Sequence, residues 1–264
     1  MPDDPLVERV LTSAKYRGLD PAFVARVVAE VRPTVRSDAE AVKVAKRRLH
    51  QAFGAFTGGR PVAALERARE ALAADPGDRD ALVVALRAHA STAERVTHLD
   101  AFAGLLASWV GQPASVLDLG CGLGPLATPW LDLAPDCRYW CCDIDRAMVD
   151  GLRAVGPSLP VELTAETVDL VARTVTEPAD VALALKVVTT LDQQRPGRSA
   201  EVLGALRCPD VVVSVPTGSL GGGRRYTDPL DQVRRIAEDA GLDVVADRAL
   251  GVEHYVHLRP EVSS

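Results

Sequence analysis

Apolar positions recur at three- and four-residue spacing through the first hundred residues. Phe23, Val24, Val27, Val28 and Val31 form one such set, and Val42, Val44, Ala45, Leu49 and Phe53 another. This is the pattern of helices that bury one face. Gly58-Gly59-Arg60-Pro61 and Asp75-Pro76-Gly77-Asp78 interrupt it and divide the region into helical hairpins. Ser91-Thr92-Ala93-Glu94 has the spacing of a capping box, which predicts a fresh helix running toward Trp109. After Pro113 the texture changes to short apolar runs at 115–119, 137–143, 159–163, 179–185, 209–215, 242–249 and 252–258, separated by amphipathic segments. That alternation predicts a doubly wound α/β sheet of seven strands, and the last two runs, parted only near Gly251, predict a terminal antiparallel hairpin. The expected organisation is an all-helical N-terminal domain over residues 1–107 and an α/β domain over 108–264.

Composition narrows the class. The chain of 264 residues is 47% hydrophobic and 25% charged, a globular balance. No stretch approaches the roughly 20 apolar residues of a membrane span, and Met1-Pro2-Asp3-Asp4 is acidic where a signal peptide is basic. A cytoplasmic protein without a membrane partner is expected. Cys137, Cys141 and Cys142 crowd one apolar segment without the paired C-x-x-C spacing of a zinc site, so buried reduced thiols and no metal are expected. A net charge of −6 argues against general coating of DNA or RNA. Within residues 41–60, however, Lys43, Lys46, Arg47, Arg48 and Arg60 stand without a single acid. A local basic face on an acidic protein points to a specific polyanion site.

The segment "SVLDLGCGLGPLATPW" carries the chemistry: a strand, then Asp118, Gly120, Gly122 and Gly124, then a predicted helix. Glycines let the backbone approach a ligand closely. A dinucleotide loop would read G-x-G-x-x-G, but Gly124 comes one position too early and Pro125 follows it. The form D-x-G-x-G-x-G resembles instead the first motif of class I S-adenosylmethionine-dependent methyltransferases, whose cationic ligand favours a nearby acid. Asp143 ends the next strand, 19 positions after Gly124, where an acid would hold ribose hydroxyls. Asp145, at the head of "DRAMVDGLRAV", is the expected N-cap of the following helix. Asp169 lies beyond the third strand, at the place of an adenine contact in such enzymes. Lys186, the one lysine after Lys46, ends the apolar fourth strand "VALAL". In this fold that strand ends beside the transferable methyl group.

At greater length the chain resembles the aminoglycoside-resistance 16S rRNA (guanine-N7) methyltransferases of the actinomycete producer type. The resemblance is carried by "AVKVAKRRLHQAFGAF", "STAERVTHLDAF", "LDLGCGLGPLATPW", "EPADVALALKVVTTLDQQRPG" and "VVVSVPTGSLGGG". It implies a Rossmann-like class I methyltransferase sheet, S-adenosylmethionine as cofactor, and 16S rRNA in the 30S subunit as substrate. It also implies roles: Arg95 on the cofactor's methionine carboxylate, Asp143 on ribose, and Asp169 on adenine. Lys186 and Gln194 fall at target-site positions, and Lys43, Lys46, Arg47 and Arg48 on the RNA-binding module. Departures from the family pattern are Thr190 in place of a cysteine, Asp192 in place of glutamate, Gly218 in place of a cation, and divergence after Tyr226. The rival expectations are a small-molecule methyltransferase and a non-catalytic cofactor- or ribosome-binding homologue. The first has no need of the basic 41–60 segment, and the second none for the order Arg95, glycine loop, Asp143, Lys186.

Overall fold

A computed structural model of the chain describes residues 4–53, 60–217 and 229–261. Three helices come first, α1 (Pro5–Leu11), α2 (Pro21–Val31) and α3 (Asp38–Phe53). The Asp4 carboxylate accepts from Leu6 N at 2.8 Å and that of Asp20 from Phe23 N at 3.3 Å, each just ahead of a proline that needs no N–H partner. The predicted stripes close on one another. Leu6, Val10, Phe23, Val27, Val31, Ala45 and Leu49 share one cluster, and the Tyr16 hydroxyl donates to the Lys46 carbonyl at 2.9 Å. At roughly 1.5–3 kcal/mol for each large apolar side chain taken from water, this cluster gives the first three helices a core of their own.

Next come α4 (Pro61–Ala74), α5 (Arg79–Leu86), the single turn α6 (Ala90–Ala93) and α7 (Leu99–Val110). The break at 75–78 is the expected turn, with Asp78 capping α5 through Ala81 N at 2.9 Å. Gly58 and Gly59 lie outside the described residues. The continuous helix expected from Ser91 is not formed. Ser91 Oγ lies 2.8 Å from His89 Nδ1 and Glu94 faces Lys186, so neither completes a capping box. A 3-10 turn at Val96–His98 intervenes before α7.

The rest is an α/β sheet: β1 (Ser115–Leu119), β2 (Arg138–Asp143), α8 (Arg146–Val155), β3 (Glu162–Thr167), β4 (Val181–Leu185), α9 (Val188–Gln194), α10 (Arg198–Gly204), β5 (Asp210–Pro216), α11 (Pro229–Ala240), β6 (Leu242–Leu250) and β7 (Glu253–Pro260). The strand order is β3-β2-β1-β4-β5-β7-β6, with β7 antiparallel to both neighbours. This is the Rossmann-like class I methyltransferase sheet with its closing hairpin. Two expectations shift. The third strand begins at Glu162 rather than 159, because Gly156–Ser158 forms a 3-10 turn. As an edge strand it leaves Glu162 and Thr164 exposed and buries only Ala165 fully. The segment after the glycine loop is a 3-10 helix, Gly124–Trp130, in which the internal Pro129 withholds an N–H that an α-helix would use.

Strand alternation sorts the core. In β4, Val181, Leu183 and Leu185 join one apolar cluster while Ala182 and Ala184 join the cluster on the opposite face. Leu65, Leu72, Leu82, Phe102 and Leu106, from α4, α5 and α7, belong to the first of these. These helices therefore share the core of the sheet. All five cysteines are buried and free. Among the described residues no helix is long and apolar enough to cross a membrane, and no group of side chains has the makings of a metal site.

Candidate active site

The carboxyl ends of β1, β2 and β4 open into one cleft, as ligand sites of open α/β sheets do. Gly120, Asp143, Asp169, Lys186 and Gln194 line it, together with the apolar Ile144, Val168, Leu170 and Leu185. Five of the expected site residues are thus brought together from 75 positions of sequence, 120 to 194.

The glycines are required by the turn. Gly120 and Gly122 have φ of +64° and +53°, and a Cβ on either would come within 2.8 Å of Val187 or His89. A Cβ on Gly124 would stand 2.7 Å from Asp118 Oδ2. Asp143 fastens the loop: its Oδ2 accepts from Gly122 N at 3.0 Å and its Oδ1 from Asp145 N at 3.0 Å. Asp145 in turn caps α8 through Met148 N at 3.1 Å, as expected.

Arg95, Asp118 and Gly124 lie instead around a smaller cavity beneath the loop, with Phe102 and Tyr139. Asp118 is buried and accepts from the Tyr139 hydroxyl at 2.8 Å. Burial pushes its carboxyl up to about 6, against the lowering effect of that hydrogen bond. Arg95 is buried too, and its guanidinium pairs with Glu253, Nε to Oε1 at 3.0 Å. Ser214 Oγ donates to the other oxygen of Glu253 at 2.7 Å. Lys186 follows β4 with a left-handed φ of +61° and only 8% exposure. Its ammonium pairs with Glu94 and lies 3.4 Å from Glu253 Oε1.

Several partners are invisible to sequence spacing. Arg26, from α2, donates through Nε to Asp169 Oδ2 at 2.6 Å and through Nη2 to Gln194 Oε1 at 3.0 Å. His89 lines the cleft, and burial holds its imidazole below the ordinary value against the opposing pull of Asp143. Glu94 and Glu253 meet Lys186 only in the fold. The single early signal was Glu94 beside Arg95, which the capping-box pattern claimed. Thr190 lines the cleft, while Asp192 accepts from Ser199 N at 2.9 Å in the turn before α10. Gly218 and Tyr226 lie outside the described residues. Burial drives the thiols of Cys121 and Cys142 well up, so the loop offers no thiolate nucleophile.

On α3, Ala41, Ala45 and Leu49 face inward, which leaves Lys43, Arg47 and Arg48 exposed and Lys46 half-buried. Arg48 also borders a polar groove of about 510 Å³, with Arg26, Gln51, Gln193 and Gln194 along its sides. Gln194 and Ala52 belong to both groove and cleft.

Residues 12–250 match the family described as ribosomal RNA methyltransferase (FmrO). The chain belongs to this family. It is 45% identical over 252 residues to a 16S rRNA (guanine(1405)-N(7))-methyltransferase of Micromonospora olivasterospora, covering 95% of this chain and 86% of that one. A protein of the same name from Micromonospora echinospora is 39% identical, with 81% of each chain covered. Among solved structures, the 16S rRNA methyltransferase RmtF in complex with S-adenosyl-L-homocysteine superposes with a TM-score of 0.83 at 30% identity, covering 97% of both chains.

Proposed function

We propose that the protein transfers a methyl group from S-adenosylmethionine to N7 of a decoding-site guanine of 16S rRNA, within the assembled 30S subunit, and thereby protects the ribosome from aminoglycosides. The observation that carries this reading is the convergence of Gly120, Asp143, Asp169, Lys186 and Gln194 on one cleft in a chain of this family.

The residues present fit the cofactor. The left-handed glycines leave room for close backbone approach, Asp143 brings carboxylate acceptors to the cleft that suit ribose hydroxyls, and Ile144, Val168 and Leu170 offer apolar walls for an adenine ring. Asp169 supplies an acceptor for an exocyclic amine, whereas Arg95 lies beneath the loop and is paired with Glu253, so a contact with the cofactor's carboxylate would require it to exchange that partner. When bound, S-adenosylmethionine supplies an electrophilic methyl group. Guanine N7 carries a lone pair and no proton at neutral pH, so the chain has no proton to remove. Its work is alignment, which supplies several kcal/mol of barrier lowering. Lys186 cannot stabilise the cationic product. As a donor it is suited to guanine O6 or an adjoining phosphate, fixing a base flipped out of its helix.

The docking part of the RNA grip belongs to α1–α3, the segment with an apolar cluster of its own, whereas α4–α7 share the core of the sheet. Within the helical region expected over residues 1–107, we assign the docking role to the part before α4. The basic face of α3 meets the polar groove at Arg48, and the groove runs to the cleft at Gln194. Backbone contact would begin on the first and end at the second. A small-molecule substrate would have no use for that face. The deciding experiment is a primer-extension or mass-spectrometric map of methylation on isolated 30S subunits given enzyme and labelled cofactor. Modification at one decoding-site guanine is expected. An unmodified 30S subunit beside a methylated small molecule would support the biosynthetic alternative.

A further inference from the structure

Arg26 belongs to the N-terminal helices, yet its guanidinium reaches across to residues 143 and 168 positions away. Nε donates to Asp169 Oδ2 at 2.6 Å and Nη2 to Asp169 Oδ1 at 3.3 Å, a two-toothed grip on one carboxylate. Nη2 also donates to Gln194 Oε1 at 3.0 Å, and Nη1 to Glu30 Oε1 at 2.8 Å. The guanidinium lies 5.4 Å from the Phe23 ring, which anchors it to the apolar cluster of α1–α3. Nothing in the order of the sequence required this contact.

We propose that Arg26 is a positioning residue that couples the docking of α1–α3 to the cofactor pocket and the target pocket together. The inference rests on the methyltransferase reading of the cleft. On the cofactor side, Oδ1 of Asp169 accepts from both Arg26 Nη2 at 3.3 Å and Val171 N at 2.9 Å, while Oδ2, bonded to Arg26 Nε, keeps a second lone pair. A carboxylate fixed in this way is preorganised for an adenine amine, so the ligand does not meet the cost of ordering it. On the target side, Gln194 has its carbonyl oxygen occupied by Arg26 and its amide nitrogen 3.4 Å from the Thr190 carbonyl. The bond to Arg26 fixes the amide's orientation and leaves it one N–H beyond that directed at Thr190, a donor of the polarity that guanine O6 requires. Two further tethers place α2 beside the cofactor acids. Asp20 N donates to the Ile144 carbonyl at 2.9 Å, and Ala147 N to the Gly18 carbonyl at 3.1 Å. The N-terminal helices are thus fastened next to Asp143 at one end and to Asp169 at the other. Coupling of this kind is reciprocal: whatever orders Asp169 strengthens the docking of α2, and the docked helix strengthens binding at Asp169.

The test is a double-mutant cycle on the full chain, with S-adenosylhomocysteine binding followed by calorimetry. Arg26→Ala and Asp169→Asn are each expected to weaken binding about tenfold, and the double variant to bind no worse than Asp169→Asn alone. Hydrogen exchange supplies a readout independent of turnover. The amides of α2 should gain protection on addition of S-adenosylhomocysteine in the wild type and not in Arg26→Ala. Arg26→Lys has a single ammonium in place of the fork, so it should recover thermal stability without recovering ligand affinity. Wild-type affinity in Arg26→Ala, additive losses in the double variant, or unchanged α2 protection on ligand addition would each overturn the coupling. If Arg26→Ala fails to fold, the Lys variant decides: full ligand affinity there overturns the proposal. Failure of the wild type to bind S-adenosylhomocysteine at all would strike the methyltransferase reading instead.

Discussion

Lys186 and Glu94 form an ion pair across 92 positions of sequence, and the pair closes one side of an alternating square of charges. Glu253 lies 3.4 Å from Lys186 Nζ and 3.0 Å from Arg95 Nε, and Arg95 is the chain neighbour of Glu94. Three of the four members are buried, and an unpaired ion there would cost several kcal/mol. Paired, the square is neutral. It also holds Lys186 in a left-handed conformation that costs on the order of 1–3 kcal/mol, with Lys186 N bonded to the Ser214 carbonyl at 3.0 Å. A strand-end lysine that merely reached for water would need none of this.

Lys186→Ala leaves Glu253 paired with Arg95 and Glu94 at the surface, so it is expected to keep the fold and most of the affinity for 30S subunits, while methyl transfer falls on the order of a hundredfold through misalignment of the target. Lys186→Arg keeps the charge with a different reach and should rescue poorly. Lys186→Gly removes the side chain and also relieves the left-handed backbone, so it should be about 1 kcal/mol more stable than Lys186→Ala and equally inactive. Methyl incorporation into 30S subunits and thermal melts measure both. Normal rates in the Ala and Arg variants would reduce Lys186 to a structural strand end.

Asp143 bonds the glycine loop as well as facing the cleft, so the choice of substitution matters. Asp143→Ala should weaken S-adenosylmethionine and S-adenosylhomocysteine alike by roughly tenfold, from the loss of about 1.5–3 kcal/mol of charged hydrogen bonding. Asp143→Asn retains an acceptor oxygen for Gly122 N or Asp145 N and should lose less. Calorimetry on both variants checks the order. Tight binding of NAD in place of either ligand would refute the pocket assignment.

Local chemistry made six strands and the helices α2 and α3 readable, because apolar periodicity is set by the face each element buries. The glycine loop was readable because a left-handed turn and close packing demand glycine at Gly120 and Gly122. What failed were patterns whose side chains had better partners elsewhere. Ser91 and Glu94 match a capping box in spacing, but one meets His89 and the other Lys186. Strand β3 carries polar residues because it sits at the edge of the sheet, where one flank remains unpaired. Arg26 acts through contacts 143 and 168 residues distant and Glu253 meets Arg95 across 158, so no short window of sequence contains both partners.

The basic face of α3 gives a separate prediction. Replacing Lys43, Lys46, Arg47 and Arg48 by Glu should abolish binding to 30S subunits and leave cofactor affinity unchanged, since none of the four lines the cofactor cleft. For the wild type, the logarithm of 30S affinity should fall linearly with the logarithm of salt concentration, and single neutralisations should flatten that slope by roughly one. Filter binding across a salt series measures it. Undiminished RNA binding by the reversed-charge variant would move the docking surface elsewhere.

Asp118 ties stability to pH in a direction opposite to most carboxylates. Burial raises its carboxyl from 3.8 to about 6, so the folded chain holds this proton more tightly than the unfolded chain does. Its contribution to stability is full below about pH 4 and is lost as pH rises through about 6. Asp118→Asn keeps the shape and an acceptor for the Tyr139 hydroxyl, and removes the buried charge. At pH 8 the variant should be more stable by up to about 3 kcal/mol, and at pH 4 close to the wild type. Thermal melts at the two pH values measure the difference, and an equal shift at both would show that the buried charge is not its source. Under the proposed cofactor role of this acid, Asp118→Asn should also bind S-adenosylmethionine more weakly even as it melts later, a trade of affinity for stability, and unchanged affinity by calorimetry would remove Asp118 from the cofactor site.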